Sequence, residues 1–283
     1  MPCRGMNKPL APGLYVVATP IGNLGDLSPR AAETLANASV ILAEDTRVTA
    51  RLIAHAGVKV PMRRYDDHST DRDRAEIVKR LGNEPVALVS DAGTPLISDP
   101  GYKLIREARA AGRAVHTVPG PCAAIAALTL AGLPTDRFLF AGFLPAKARA
   151  RAEAIAELAP IRATLVFYES GARLAESLAA LAQGLGGREA ALAREITKLH
   201  EECVTGSLSE LAARYADAPP KGEIVIVVGP PPEQPEASEA DLDSALQEAL
   251  QHLSPSRAAA EVAQRLQMPK KRAYARALQL SSK

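Results

Sequence analysis

The chain of 283 residues contains no tryptophan, 4% aromatic residues and three cysteines. Cys3, Cys122 and Cys203 are widely spaced, and their odd number without a Cys-x-x-Cys pair suits neither a disulfide framework nor zinc. The five histidines are equally scattered, without His-x-x-x-His spacing. We therefore expect reduced thiols and no bound metal.

Signatures of secretion, membrane insertion and common nucleotide binding are also missing. The first 13 residues lack an apolar signal core, and no stretch approaches 18 uninterrupted apolar residues, so a cytoplasmic protein that does not span the membrane is expected. No Gly-x-Gly-x-x-Gly follows the first predicted strand, and no Gly-Lys-Ser/Thr occurs. These gaps disfavour NAD and ATP as ligands.

The length predicts two domains with an appendage. Hydrophobic residues make up 47% of the chain and charged residues 23%, which is ordinary for a globular protein. The net charge of +2 says little about partners, so local charge carries more information.

Short apolar strands alternate with helical segments in the first half of the chain. The strands are predicted at 14–19, 40–43, 86–89 and 115–118, each followed by a turn and a helix. This alternation predicts βαβ units and a parallel sheet. The helix that follows the second strand is predicted to end at Gly57, and the helix that follows the third to run from Pro100 to Ala111. Another is predicted to begin at an Asp71 cap.

The rest of the chain contains two further kinds of segment. Further strands after residue 137 are more often alternating or β-branched, which predicts a mixed sheet. A proline- and glutamate-rich linker then precedes three short helices that resemble a helix-turn-helix in outline. The predicted boundaries are a disordered N-terminus at 1–13, domains at 14–136 and 137–229, a linker at 230–240 and a basic helical extension at 241–283.

The end of the extension is rich in positive charge. From Ser254 onwards it has seven lysines and arginines against a single acidic residue, Glu261. Such an excess fits contact with phosphates, and a solvated helical face is the alternative.

The loop that follows the third predicted strand is the first candidate site. Asp91, Gly93, Thr94 and Asp99 lie in this loop, SDAGTPLISDPG at 90–101. Ligands of open α/β sheets bind outside the carboxyl ends of the strands, so these residues are placed to hold a small molecule. A well-capped turn explains the same residues without a ligand.

Charged residues follow two other predicted strands. AEDTR at 43–47 ends the second strand, and its acidic residues also suit the start of a helix. If these strand ends face one crevice, the carboxylates would suit a ligand with hydroxyls and a positive charge, such as a nucleoside that bears a sulfonium. The cluster REITKLHEE at 194–202 contains Lys198, a candidate for contact with an anion, although most such clusters are solvated surface.

Hydrolytic chemistry has little support. No Gly-x-Ser-x-Gly elbow is present. Cys122 follows Pro-Gly-Pro at a predicted helix start, where the helix dipole could acidify a thiol. A small residue that allows close approach of a ligand or strand is the favoured interpretation of Cys122.

Long strings along the chain resemble one known family. They are LYVVATPIGNLGDLSPR at 14–30, AEDTR at 43–47, SDAGTPLISDPG at 90–101, PGPCA at 119–123, DRFLFAGFLP at 136–145, FYES at 167–170, REITKLHEE at 194–202 and GEIVIVVG at 222–229. Together they resemble the tetrapyrrole methylase family, and more closely its ribosomal RNA small-subunit 2′-O-ribose methyltransferase I branch. The basic tail also resembles the extension of that branch.

The resemblance implies an α/β, two-domain class III methyltransferase-like fold that binds S-adenosylmethionine between its domains. It further implies a homodimer that methylates the ribose 2′-hydroxyl of a cytidine in the decoding region of 16S rRNA, on the small ribosomal subunit. By position, the cofactor-binding residues would be Ile21, Asp91, Ala92, Gly93, Thr94, Cys122, Ala123, Tyr168 and Glu223.

The chain departs from the pattern of the branch at Gly171 and Ala172, where proline and histidine are usual. Two alternatives remain: a methylase of a tetrapyrrole or protein on the same fold, and a non-catalytic ribosome-binding protein. Because a ribose hydroxyl is a poor nucleophile, a base or a cation near it is expected. We predict catalytic roles for Asp45 and Lys198, with Arg47 positioning a phosphate.

Overall fold

The computed structural model describes residues 9–217, 220–232, 238–266 and 268–281. The chain divides into two compact units, Met1–Pro231 and Pro232–Lys283. Cys3, residues 1–8 of the N-terminus predicted to be disordered, and residues 233–237 of the predicted linker lie outside the described part. Within the described part, none of the helices is long and apolar enough to cross a membrane.

The first sheet is parallel throughout. Its strands are β1 (Gly13–Val17), β2 (Val40–Ala43), β3 (Met62–Arg64), β4 (Pro85–Val89) and β5 (Val115–Val118), in the order β3-β2-β4-β1-β5. The parallel sheet expected from the alternating pattern is confirmed. The sequence did not predict β3, because this three-residue edge strand is half-exposed and carries two arginines instead of an apolar run.

Five α-helices connect or follow these strands. They are α1 (Pro29–Asn37), α2 (Thr46–His55), α3 (Asp71–Arg80), α4 (Tyr102–Ala110) and α5 (Ala123–Ala131). The predicted Asp71 cap of α3 is wrong by one residue: Thr70 is the cap, and it forms a reciprocal pair of hydrogen bonds with Asp73. The predicted start of α4 is wrong by two residues, because Gly101 takes a φ of +131° immediately before the helix.

Apolar side chains cover both faces of the first sheet. One core lies around Val17, Leu35 and Ile41, and the other around Leu14, Leu42 and Leu104. Burial on both faces is the physical reason that β1, β2 and β4 are continuous apolar runs.

The second sheet is mixed, as expected. Its strands are β6 (Phe138–Phe143), β7 (Thr164–Ser170), β8 (Glu189–Arg194), β9 (Glu202–Ser207) and β10 (Glu223–Val228), in the order β6-β7-β10-β8-β9. The pair β6 and β7 is parallel, and the other pairs are antiparallel. A core that includes residues of α6 (Ala148–Leu158), α7 (Leu174–Leu185) and α8 (Leu208–Arg214) packs on this sheet.

Helix α5 joins the two sheets. It follows β5 of the first sheet, yet Ala124, Ala127, Leu128 and Ala131 pack against Val166 and other buried residues of the second sheet. Small side chains permit this close contact between helix and sheet. The turn that precedes α5 is thereby held at the junction of the two sheets.

The second unit contains three helices with their own core. They are α9 (Glu239–Leu250), α10 (Pro255–Arg265) and α11 (Lys270–Ser281), and their buried residues include Leu242, Leu246, Val262 and Ala273. Asp243 and Arg276 form an ion pair at 2.5 Å, and Glu248 and Arg265 form another at 3.1 Å. Two of the basic residues noted in the sequence therefore make contacts within this unit.

Candidate functional site

A cavity of about 380 Å³ lies where strand ends of the two sheets meet. Residues that follow β1, β2, β4 and β5 form one wall, and residues at the ends of β6, β7, β8 and β10 form the other. The volume is within the range of pockets that enclose small molecules. Carboxyl ends of the parallel strands thus face a crevice, as the topology of such sheets requires.

All nine residues predicted to bind the cofactor line this cavity: Ile21, Asp91, Ala92, Gly93, Thr94, Cys122, Ala123, Tyr168 and Glu223. Lys198 lines it as well, whereas Asp45 and Arg47 are not among its lining residues. Ser98, Phe143, Glu169 and Ile196, which were not among the predicted site residues, also lie on the wall. Ser98 lies in the loop at 90–101 and Ile196 in the cluster at 194–202, both noted in the sequence, whereas the positions of Phe143 and Glu169 depend on how the second sheet packs.

The loop after β4 is held in place by backbone contacts. Thr19 and Gly93 exchange two hydrogen bonds, with N···O distances of 2.8 and 3.1 Å. The Thr94 hydroxyl donates to the carbonyl of Pro121 at 2.9 Å. Gly93 has a φ of +79°, and a Cβ there would lie 3.2 Å from Cγ2 of Ile21. The loops after β1, β4 and β5 are therefore fixed to one another around the cavity.

Two loops that border the cavity carry strained backbone. Leu96, Ser98, Glu195 and Thr197 have φ values of +75°, +64°, +50° and +67°, and they are the non-glycine residues with positive φ in the described part. Residues other than glycine avoid this region unless the surroundings hold them there. Such strain clusters at ligand sites, which supports a functional role for these loops.

The cavity is acidic. Its lining carboxylates are Glu44, Asp91, Asp99, Glu169, Glu195 and Glu223. Burial raises the pKa of Asp99 to about 6, and the carboxylates of Asp91 and Glu223 add to the rise. Burial also raises the pKa of Glu44, with Asp91 and Asp99 contributing. Clustered carboxylates favour a ligand with positive charge.

Tyr168 joins the two walls. Its phenol oxygen accepts a hydrogen bond from the backbone N–H of Ala124 at 3.1 Å and lies 4.0 Å from the sulfur of Cys122. The rings of Phe140 and Phe143 contact Tyr168 edge-on, with centroids 4.8 and 5.7 Å away. Burial raises the pKa of the phenol, so it stays protonated at neutral pH. These contacts hold Tyr168 in place and make this side of the cavity largely apolar.

Asp45 lies beside the cavity as the N-cap of α2. Its carboxylate accepts from the backbone N–H of Arg47 at 2.8 Å and pairs with the Arg47 guanidinium at 2.6 Å. The hydrogen bond from the Arg47 side chain is the largest cause that lowers the pKa of Asp45. The Arg47 side chain is 89% exposed. The predicted roles of both residues stay predictions.

Lys198 lies in a loop that packs tightly against the loop after β1. Its ammonium group pairs with Glu195 at 3.0 Å. A Cβ on Gly22 would lie 2.7 Å from Cγ of Lys198 and 2.9 Å from the carbonyl oxygen of Ile196. Glycine at position 22 is therefore required for this approach.

The departure at Gly171 and Ala172 has a structural explanation at the first of these positions. The Gly171 N–H donates to the carbonyl of Gly222 at 2.8 Å, and a Cβ on Gly171 would clash with the carbonyl oxygen of Pro220. Arg173 remains bonded to the carbonyl of Leu144 at 2.6 Å. The close approach of Pro220 therefore leaves no room for a side chain at position 171.

Comparisons with known proteins agree with this architecture. Residues 13–212 match the family of tetrapyrrole (corrin/porphyrin) methylases, and residues 236–281 match the RsmI C-terminal HTH domain. Diphthine synthase has a similar fold, with a TM-score of 0.60 at 15% identity over 76% of this chain and 89% of that one. Uroporphyrin-III C-methyltransferase from Thermus thermophilus, solved with S-adenyl homocysteine, has a TM-score of 0.53 at 20% identity over 77% of this chain and 97% of that one.

Similarity in sequence to two curated proteins is much higher. Ribosomal RNA small subunit methyltransferase I of Erythrobacter litoralis is 55% identical over 97% of this chain and 98% of its own. The protein of the same name from Mesorhizobium japonicum is 48% identical over 96% of this chain and 94% of its own. The chain therefore belongs to the tetrapyrrole (corrin/porphyrin) methylase family, in the branch of ribosomal RNA small subunit methyltransferase I.

Proposed function

We propose that this protein is an S-adenosylmethionine-dependent methyltransferase that modifies the ribose 2′-hydroxyl of a cytidine in the decoding region of 16S rRNA. The observation that carries the proposal is the 55% identity to a ribosomal RNA small subunit methyltransferase over nearly the whole of both chains. The match extends into the second unit, whose helices fit the RsmI C-terminal HTH domain.

The residues of the cavity fit S-adenosylmethionine. When bound, this cofactor supplies a methyl group on a positively charged sulfur. Asp91, Asp99 and Glu223 place negative charge around the cavity, which suits a sulfonium. The fixed backbone of Ala92, Gly93 and Thr94 offers hydrogen-bonding groups, and Tyr168 with its aromatic neighbours offers an apolar side. The fold relative solved with S-adenyl homocysteine supports the same choice of cofactor.

Catalysis in this proposal rests on positioning, exclusion of water and removal of one proton. The two walls hold the ribose hydroxyl in line with the transferred methyl group. The Asp99 carboxylate, whose pKa is raised to about 6, accepts the hydroxyl proton near neutral pH. Asp99 suits this task better than Asp45, because the pKa of Asp45 is lowered by Arg47. Lys198 stabilises negative charge on the ribose oxygen, and Arg47 contacts a phosphate.

The proposal includes a cellular setting. A substrate on the small ribosomal subunit places the enzyme in the cytoplasm. We also propose a homodimer, as the resemblance to the branch implies.

The test is to map 2′-O-methyl groups after the protein has acted on small ribosomal subunits that lack them, with labelled S-adenosylmethionine. Label on one cytidine ribose of the decoding region is expected, and no label on ribose would overturn the proposal. Methyl transfer to a tetrapyrrole or protein without RNA would support the first alternative. Failure to bind S-adenosylmethionine in calorimetry would support a non-catalytic ribosome-binding protein.

A further inference from the structure

A second depression, of about 400 Å³, adjoins the cavity. It is lined by Arg194, Glu195, His200, Lys221 and Gly222. Glu195 lines both concavities, so they share a wall.

Strand pairing explains why the two concavities adjoin. Arg194 is the last residue of β8, and the next residue, Glu195, lines the cavity. Gly222 precedes β10, whose first residue, Glu223, also lines the cavity. Arg194 pairs with Ile224 of the antiparallel neighbour. Two adjacent strands thus each contribute a residue to the depression and the following residue to the cavity.

Gly222, at the boundary between the concavities, lies close to the Glu195 side chain. Gly222 has a φ of +97°, and a Cβ there would lie 3.2 Å from Oε1 of Glu195. Glu195 also pairs with Lys198 of the cavity. The Glu195 side chain therefore separates the two concavities, and a ligand that occupies both would cross it over a short distance.

The two concavities differ in the charge of their lining residues. Six carboxylates and one lysine line the cavity, whereas the depression is lined by Arg194, His200 and Lys221 with a single carboxylate, that of Glu195. Arg194 is oriented by an ion pair with Glu202 at 2.6 Å, and the side chains of His200 and Lys221 are exposed. An anion is therefore disfavoured in the cavity relative to the depression, where Lys221 is exposed.

An RNA strand has the complementary arrangement. A ribose that places its 2′-hydroxyl in the acidic cavity is attached to phosphodiesters that the same carboxylates repel. Lysine and arginine are the usual partners of RNA and DNA phosphates. We infer that Arg194, His200 and Lys221 form a subsite for a backbone phosphate next to the ribose that is methylated. The inference rests on the proposed function and names where its substrate is held.

The experiment compares K221Q and the double variant H200Q/K221Q with wild-type protein, using small ribosomal subunits as substrate. The expected result for K221Q is a KM for subunits raised roughly fivefold with little change in kcat, since a lost phosphate contact weakens binding of the RNA. The slope of log(kcat/KM) against log[salt] should become shallower by about one unit. The dissociation constant for S-adenosylmethionine, measured by calorimetry, should not change.

Two controls make the result specific. K221R keeps the charge and should restore the wild-type KM. K79Q removes an exposed lysine of α3 that lines neither concavity, and it should leave KM and salt slope unchanged.

Each contrary outcome has a distinct meaning. Wild-type KM and salt slope in the double variant, with active wild-type enzyme, would overturn the phosphate subsite and leave the proposed function intact. A changed dissociation constant for S-adenosylmethionine in K221Q would also overturn it, because Lys221 would then act on the cofactor. Absence of RNA methylation by the wild-type protein would overturn the proposed function and the subsite together.

Discussion

The phenol oxygen of Tyr168, near the end of β7, accepts a hydrogen bond from the backbone N–H of Ala124 in the first turn of α5, at 3.1 Å. This bond ties the helix that follows the first sheet to a strand of the second. The first N–H groups of a helix have no partner within the helix, so Tyr168 fulfils the role of a cap. It does so at the wall of the cavity.

Y168F should destabilise the protein and weaken binding of S-adenosylmethionine. Removal of the hydroxyl leaves the Ala124 N–H without this partner, which costs about 1–3 kcal/mol. The ring stays in place against Phe140 and Phe143, so the apolar wall persists. Urea unfolding and calorimetry of the cofactor measure both effects. Wild-type values in both experiments would show that the bond has no energetic role.

The activity should rise with pH through the range in which Asp99 ionises. Its pKa is raised to about 6, so the carboxylate that accepts the proton accumulates between about pH 5 and pH 7. D99N should lower kcat by roughly 100-fold or more and remove this limb of the profile. The measurement is single-turnover methyl transfer at several pH values. An unchanged profile in D99N would exclude Asp99 as the base.

D99N should also change the pH dependence of stability. The folded-state pKa of Asp99, about 6, lies above the ordinary value of 3.8, so the folded protein binds more protons between these values. Stability of the wild type therefore falls as pH rises through that window. The melting temperature of D99N minus that of the wild type should be largest above pH 6, and this difference should shrink below about pH 4. A difference that is constant with pH would contradict the raised pKa.

Gly171 should not tolerate a side chain. In G171A the new Cβ meets the carbonyl oxygen of Pro220, and the strain should destabilise the fold by about 1–3 kcal/mol. G171P should destabilise further, since it also removes the N–H that donates to Gly222. G187A is the matched control, because a Cβ at Gly187 meets nothing within 4 Å. Equal stability of G171A and G187A would refute this explanation.

Substitution of Asp45 should mainly lower stability, whereas substitution of Lys198 should mainly lower activity. D45A removes the N-cap of α2 and should cost about 1 kcal/mol of stability. K198A removes a cation from the wall of the cavity and should lower kcat while the melting temperature changes little. Activity on intact small subunits and thermal unfolding separate the two. Full activity of both variants would overturn the predicted catalytic roles of these residues.

Much of the fold follows from local sequence. The apolar run Val40–Ala43, the cap at Ser28 and the small-residue helix Ala123–Ala131 are set by burial, capping and helix propensity, which act over a few residues. The edge strand β3 has no local sequence signal, because its partner, β2, supplies the hydrogen bonds that make Met62–Arg64 a strand. An edge strand needs little apolar character of its own.

The sequence by itself determined the alternation of strands and helices, the glycine-rich loop at the end of β4 and the family to which its strings belong. Tertiary structure decided which side chains share the cavity. It placed Lys198, but not Asp45 or Arg47, on the wall of the cavity, and it buried Asp99 near other carboxylates, so that burial first and their charge second raise its pKa. The reason is physical: periodicity and capping are local, whereas burial and the electrostatic field at a carboxylate depend on residues that folding brings together from distant parts of the chain.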